Sequence, residues 1–345
     1  MIAIPLLTLA PGVVGGSETY VRELLRALAK VGTQEYLVLV PPVARDAADG
    51  LPTVVAEGYG AHGRLPGMAR AAVDPRLGRL LGAADVVHYP LTVPLPHVRG
   101  RRVVTLHDVQ HLDLPELFSR ATRAWRAAAY DRPTRRADRV LVISEFVRGR
   151  AVALLGLDPS RVAVSPLGVD LERLRPGEAT REPFLLYPAK PWPHKNHPKL
   201  FDAFALLRRE RPELRLVLTG GGAYPRLPDG VDARGLVPRS EVVELMQRAA
   251  ALVFPSLYEG FGLPPLEAMA CGCPVACSNR AALPEVVGDA ARLFDPEDPT
   301  AIAEAVADVL ADPAAWVARG LERAQRFSWE TTARATDAVY AGLLS

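Results

Sequence analysis

The stretch ALVFPSLYEGFGLPPLEAMACGCPVACS, residues 251–278, decides how the chain is read. It opens on one short apolar run, ALVFPS at 251–256, and closes on another, CPVACS at 273–278. Near-continuous apolar runs of this length, bounded by turn residues, read as buried strands of a parallel sheet. Between them Gly260 and Gly262 let the backbone come close to a ligand, and Pro264-Pro265 opens a helix that carries Glu267 in its first turn. Strand, loop, helix, strand is a βαβ unit, and its loop falls where open α/β sheets bind ligands, beyond the carboxyl ends of the strands.

The same alternation continues outward. FLLYPA (184–189) and LRLVLTG (214–220) are strands, and helices are expected over 198–209 and 241–249. An earlier series has strands at 2–9, 36–40, 85–89, 102–107 and 139–144. Its first helix is read with Ser17 as N-cap, Val21, Leu24, Leu25 and Leu28 at i, i+3, i+4 and i+7, and Gly32 as the stop. A turn-rich segment, 166–183, separates the two series. A chain of 345 residues suits two cores at about 100–200 residues each. The expected architecture is α/β, with two Rossmann-like doubly wound domains facing across a cleft. They are placed at 1–172 and 173–327, and a terminal helix in 328–345 packs back toward the first domain.

Composition narrows the function. Hydrophobic residues make up 49% and charged residues 23%, a folding composition rather than a disordered one. The net charge of +2 gives no global argument for a nucleic-acid partner. The three cysteines, Cys271, Cys273 and Cys277, make no even framework and no paired zinc spacing, which points to small buried residues in a reducing, cytoplasmic setting. MIAIPLLTLA lacks a basic lead and a cleavage site, so a first buried strand is expected there, and no run approaches the ~20 apolar residues of a membrane span.

Two glutamates and a lysine cluster carry the chemistry. A helix N-terminus preceded by glycine presents free N–H groups and a positive dipole end to an anion such as phosphate. Glu259 on the loop and Glu267 on the helix, eight residues apart, suit hydroxyls at the two ends of a sugar nucleotide. A solvated loop acid and a dipole-complementing helix acid remain the alternative. Only Lys30, Lys190, Lys195 and Lys199 among 41 basic residues are lysine, and three of them crowd into 190–199. A compact ammonium facing a phosphate is one reason to keep lysine in an arginine-rich chain.

These residues resemble the E-x7-E signature of the retaining glycosyltransferases of family 4, which have the GT-B fold, and the similarity continues through SNRAALPEVVGDAARLFDP (278–296). The resemblance implies that Glu267 binds ribose hydroxyls and Glu259 the donor-sugar hydroxyls, with backbone around Gly260, Phe261, Gly262 and Leu263 on the diphosphate. YPAKPWPHKNH (187–197) resembles the family's basic loop, where Lys195 neutralises the leaving diphosphate. Ala189 stands where many relatives have Arg, so Lys190 is the substitute, and His194 is either a weaker donor or a packing residue. GVVGGSETY resembles the first glycine loop, with Gly15 and Gly16 near the diphosphate and acceptor; TLHDVQHLD places His107 near the reacting sugar; Val237 meets the base. Ser144 and Glu145 match a segment facing the cleft, and an N-cap at Ser144 is the other reading.

The implied activity is transfer of a hexose from a nucleoside diphosphate sugar, GDP-mannose favoured, to a saccharide or lipid-linked acceptor hydroxyl with retention of configuration. No cofactor and no metal are expected, since no Asp-x-Asp occurs and His111 and Asp113 have no two-sided metal spacing. GYGAHG (58–63) fits a dinucleotide motif, but Pro66-Gly67 interrupts the helix it needs. The arginines of 120–150 form either a solvated helix face or a peripheral contact with an anionic membrane or lipid-phosphate acceptor. The rival readings are an epimerase or hydrolase of the same fold, and a non-catalytic sugar-nucleotide-binding protein.

Overall fold

A computed structural model describes residues 1–12, 15–48, 50–57, 59, 74–224 and 226–345. The chain divides into a first unit, Met1–Gly168 with Trp329–Ser345, and a second, Val169–Ser328.

Among the described residues the first unit holds a seven-stranded parallel sheet of β1 (Ile2–Pro5), β2 (Tyr36–Val40), β3 (Thr53–Val55), β4 (Val86–Tyr89), β5 (Arg101–Leu106), β6 (Arg139–Val142) and β7 (Val162–Val164), in the order β3-β2-β1-β4-β5-β6-β7. Every residue of β1 and β4 is buried, as a sheet covered on both faces requires. Helix α1 (Gly16–Val31) buries Tyr20, Val21, Leu24, Leu25, Ala27 and Leu28. The expected cap is corrected: Gly15, not Ser17, caps α1, and no side chain bonds there. Gly15 turns the chain at φ 59°, a conformation that favours glycine, while Glu18 Oε2 accepts from Gly12 N at 2.7 Å. Its further helices include α2 (Pro75–Gly82), α3 (Arg120–Arg126) and α4 (Glu145–Leu155).

The second unit has a six-stranded parallel sheet of β8 (Glu182–Pro188), β9 (Arg215–Thr219), β10 (Val231–Ala233), β11 (Ala249–Phe254), β12 (Val275–Ser278) and β13 (Arg292–Phe294), in the order β10-β9-β8-β11-β12-β13. Its helices include α5 (His197–Glu210), α6 (Arg239–Arg248), α7 (Leu263–Ala270), α8 (Pro299–Ala311) and α9 (Pro313–Ala324). The last helix, α10 (Trp329–Leu344), packs on α1 in the first unit. Asp337 accepts from Thr33 N at 3.1 Å, from Thr33 Oγ1 at 2.6 Å and from Tyr36 Oη. Tyr340 Oη bonds His88 Nδ1 at 2.6 Å.

The interior strands form where the apolar runs lie. The strands the sequence reading missed, β3, β7, β10 and β13, are three residues each and stand at the outer ends of the two sheets. Short edge strands carry little apolar signal and blunt the exposed sheet edge. In each sheet the strand order reverses once, between β1 and β4 and between β8 and β11. A crevice outside the carboxyl ends of the strands is expected at each reversal.

Candidate active site

The crevice of the second unit is built by the loops after β8 and β11. Pro193–Lys195 makes one 3-10 turn, with Lys195 N bonded to Trp192 O at 2.8 Å, and Asn196 leaves it in the left-handed region at φ 57°. Asn196 Nδ2 anchors the turn by donating to Pro296 O at 2.6 Å, and Tyr187 Oη donates to Lys195 O at 2.6 Å. So held, Lys195 Nζ reaches Glu259 Oε1 at 2.5 Å, and each side chain is 14% exposed. Two residues 64 apart in sequence thus meet across the reversal of strand order. Leu257 N donates to His194 O at 2.8 Å, which ties the two loops together. Lys190 Nζ lies 5.6 Å from the Trp192 ring centroid, and the His194 ring lies 5.7 Å from the same indole, which is half exposed.

Glu267 lies deeper. Helix α7 begins at Leu263, and its cap Gly262 takes φ 109° where an added Cβ would stand 2.6 Å from Leu283 Cδ2. This early start corrects the expected position of Glu267, which occupies the second turn of the helix rather than the first. There its side chain is 5% exposed, and both oxygens accept from Arg239, Nη1 at 2.9 Å and Nη2 closer still. Bidentate pairing fixes the carboxylate plane. Glu267 and Arg239 line a cavity of about 160 Å³ with Thr219, Gly220, Leu236, Val237 and Pro264. Gly220, at φ 107°, packs so tightly on Ala189 that a Cβ would stand 2.9 Å from its carbonyl carbon. Arg239 and the 72% exposed Leu236 are additions to the residues named from sequence. A signal for Arg239 existed: a cation in the first turn of α6 opposes the helix dipole, so it needs a carboxylate from elsewhere.

Gly260, Phe261, Gly262 and Leu263 lie together on the same loop, but the Phe261 side chain is buried edge-on against Phe327, 5.8 Å between centroids, leaving its backbone for any ligand. The three cysteines are buried and unbridged. Burial, with the charge of Glu267 adding to it, pushes the Cys271 thiol up to about 12, and burial does the same to Cys273.

In the first unit, Gly15 and Gly16 are exposed at the head of α1, after β1. His107 follows β5, and its Nε2 donates to Pro90 O, after β4, at 2.8 Å. Burial holds the imidazole below its ordinary value, so the ring is neutral near pH 7 and Nδ1 is its acceptor atom. Tyr20 packs edge-on against it at 5.1 Å. Beneath lies a buried chain in which Tyr20 Oη meets Thr105 Oγ1 at 3.0 Å, and Thr105 Oγ1 meets His88 Nε2 at 2.8 Å.

Other expectations resolve into structure. His111 Nε2 bonds the buried Asp131 at 3.0 Å, and Asp113 pairs with Arg150. Ser144 caps α4, accepting from Val147 N at 3.1 Å. Helix α3 buries none of its residues. GYGAHG lies largely outside the described residues.

Residues 14–173 match the family described as Glycosyltransferase Family 4, and residues 170–332 match Glycosyl transferases group 1. O-antigen chain mannosyltransferase B of Escherichia coli is 32% identical over 286 residues, 74% of this chain and 74% of that protein. Sucrose-phosphate synthase from Thermosynechococcus elongatus superposes with a TM-score of 0.77 at 21% identity, covering 99% of this chain and 98% of that one. HepE from Anabaena, in complex with UDP and glucose, does so at 0.73 and 17%, covering 99% of both. These two structures share the fold, and the two sheets are those of GT-B proteins. The chain belongs to the glycosyltransferases, with a family 4 region in its first part and a group 1 region in its second.

Proposed function

We propose that this glycosyltransferase moves a hexose, mannose first, from a nucleoside diphosphate sugar such as GDP-mannose to a hydroxyl of a saccharide or lipid-linked acceptor, with retention of configuration and without a metal ion. The observation that carries the reading is the Lys195–Glu259 pair at the strand-order reversal of the second unit, beside the Glu267–Arg239 pair in its cavity. The name of the Escherichia coli mannosyltransferase and the WPHKNH form of the basic loop support mannose.

In this reading Glu267 accepts ribose hydroxyls and Val237 meets the base. Backbone N–H groups from Gly260 to Leu263, together with Gly15 and Gly16, approach the diphosphate. Lys195, with Lys190 and His194 near it, opposes the charge that grows on the β-phosphate oxygens as the sugar departs. A cation placed there stabilises the transition state more than the ground state. Glu259 accepts hydroxyls of the sugar. The acceptor oxygen bonds to the anomeric carbon on the face the phosphate leaves, through an oxocarbenium-like state, and its proton passes to that phosphate. His107, neutral and fixed by Pro90 O, supports the positive charge on the sugar. A lipid-linked acceptor would bring the arginines of 120–150 to anionic headgroups. No helix among the described residues is long and apolar enough to cross a membrane. The unbridged thiols suit the cytoplasm.

The test is a screen of GDP, UDP and ADP sugars with saccharide acceptors, with chelator and with added magnesium, reading anomeric configuration by proton NMR. Retained product from GDP-mannose in chelator is expected. An inverted product, strict dependence on a divalent ion, or release of free sugar as fast with no acceptor present would overturn the respective part.

A further inference from the structure

Six arginines converge on the first unit at the amino ends of its strands, the end opposite His107. Arg101 and Arg102 begin β5, Arg139 begins β6, Arg161 immediately precedes β7, and Arg135 and Arg136 end the short helix Arg132–Arg136. They line an open depression of about 590 Å³ in which Asp138 is the one carboxylate. That carboxylate is engaged by the backbone N–H of Arg102 at 2.7 Å.

Five of the six guanidiniums are held in place by carbonyls rather than by acids. Arg101 donates to Leu343 O, Arg102 to Arg136 O at 2.8 Å, Arg135 to Leu155 O at 3.0 Å, Arg139 to Asp138 O at 3.1 Å, and Arg161 to Ala137 O and Arg135 O. Among the described residues, none of the six forms an ion pair, whereas many other surface arginines do: Arg22 with Asp46, Arg248 with Glu182, Arg280 with Asp295 and Glu297, Arg292 with Asp308. Arg102 Nε is buried with no partner. An arginine-rich composition accounts for the number of arginines, but not for six gathered around one lining carboxylate, with Asp158 and Asp85 near the cluster yet forming no ion pair with it. Like charges held this close repel, and a multiply charged anion relieves that repulsion. The planar fork of arginine matches phosphate oxygens in particular.

We propose that this depression is a second anion site, which binds a phosphate-bearing group of two or more negative charges and is separate from the donor site of the second unit. A soluble diphosphate and the headgroups of an anionic lipid surface are the two sources of that chemistry.

The experiment titrates inorganic pyrophosphate into the full chain by calorimetry, in a Lys195→Ala background so that the lysine loop does not contribute. It compares that protein with one that also carries Arg136→Glu and Arg139→Glu. Flotation with phosphatidylcholine vesicles, with and without phosphatidylglycerol, runs in parallel. Loss of at least about tenfold in pyrophosphate affinity assigns a soluble diphosphate. Loss confined to the phosphatidylglycerol vesicles assigns the lipid phosphate. Unchanged binding of both probes, or no binding of either at millimolar concentration, overturns the site. Should the charge reversals disturb folding, Arg136→Ser, at a lining position whose side chain makes no hydrogen bond among the described residues, reads a smaller loss in the same direction, and unchanged binding by it overturns the site.

Discussion

Replacing Glu259 by Gln tests whether the lysine of the basic loop is held in reserve. Lys195 Nζ and Glu259 Oε1 stand 2.5 Å apart, and both side chains are 14% exposed. A hydrogen bond between charged groups contributes about 1.5–3 kcal/mol net, and partial solvent contact puts this one at the lower end. A diphosphate that recruits Lys195 must offset that contact, and about 1.4 kcal/mol is a factor of ten in affinity. Glu259→Gln is therefore expected to bind a nucleoside diphosphate about tenfold more tightly than the parent, while sugar transfer falls if Glu259 is, as proposed, the anionic acceptor of the sugar hydroxyls. Lys195→Ala is expected to weaken both. Calorimetric titration with the diphosphate alone, without sugar, keeps any contact of Glu259 with the hexose out of the measurement. The amide variant also leaves the Lys195 ammonium without its carboxylate, 5.4 Å from the Phe254 ring centroid. A fall in melting temperature of about 2–4 °C per kcal/mol lost should accompany the gain in affinity. Equal or weaker diphosphate binding by Glu259→Gln would refute the reasoning, since it would mean that the pair does not restrain the lysine.

Arg239→Ala strands the Glu267 carboxylate, 5% exposed, and should cost about 1–3 kcal/mol in urea unfolding, below the figure for a fully buried pair because Arg239 is 52% exposed; an unchanged midpoint would show that Glu267 needs no partner. Burial lowers the His88 imidazole to about 3. The unfolded chain takes up that proton near 6.5, so stability is full above pH 6.5 and falls as the pH drops toward 3, by at most about 1.4 kcal/mol per pH unit. His88→Gln, which does not titrate, should flatten that acid slope relative to the parent, and parallel slopes would contradict the burial argument. Asp337→Ala leaves Thr33 N and the hydroxyls of Thr33 and Tyr36 without their acceptor, for about 1–3 kcal/mol. Hydrogen exchange should then quicken in α10, and unchanged protection there would show that apolar packing on α1 alone holds the helix.

Much of the fold was legible because buried parallel strands are written as unbroken apolar runs: YLVLV is β2, and RVVTLH lies on β5. Capping was harder to read. Ser17 is a residue type that caps helices, yet the positive φ of Gly15 supplies the turn by itself. The helix start at Leu263 carried Glu267 from the first turn into the second because the proline pair sits inside the helix rather than at its first residue. At the site, the glutamates and Lys195 were readable as residue types in loops after strands. The pairings were not, because Arg239 lies 28 residues from Glu267 and only the packing of α6 beside α7 brings them together.

Legible along the chain alone were the alternation of strand and helix, the glycines at the loops and the few charges that stand after strands. These are local properties, set by apolar period, backbone freedom and residue chemistry within a few positions. Tertiary structure alone decided the order of the strands, and with it every long-range pairing of the site: Lys195 with Glu259 across β8 and β11, Arg239 with Glu267, and His107 with Pro90 O across β4 and β5. It also gathered six arginines from three strand ends and one helix end into a single depression. The reason is physical: strand order follows from where each crossover helix buries its apolar face, and that surface exists only once the neighbouring elements have packed.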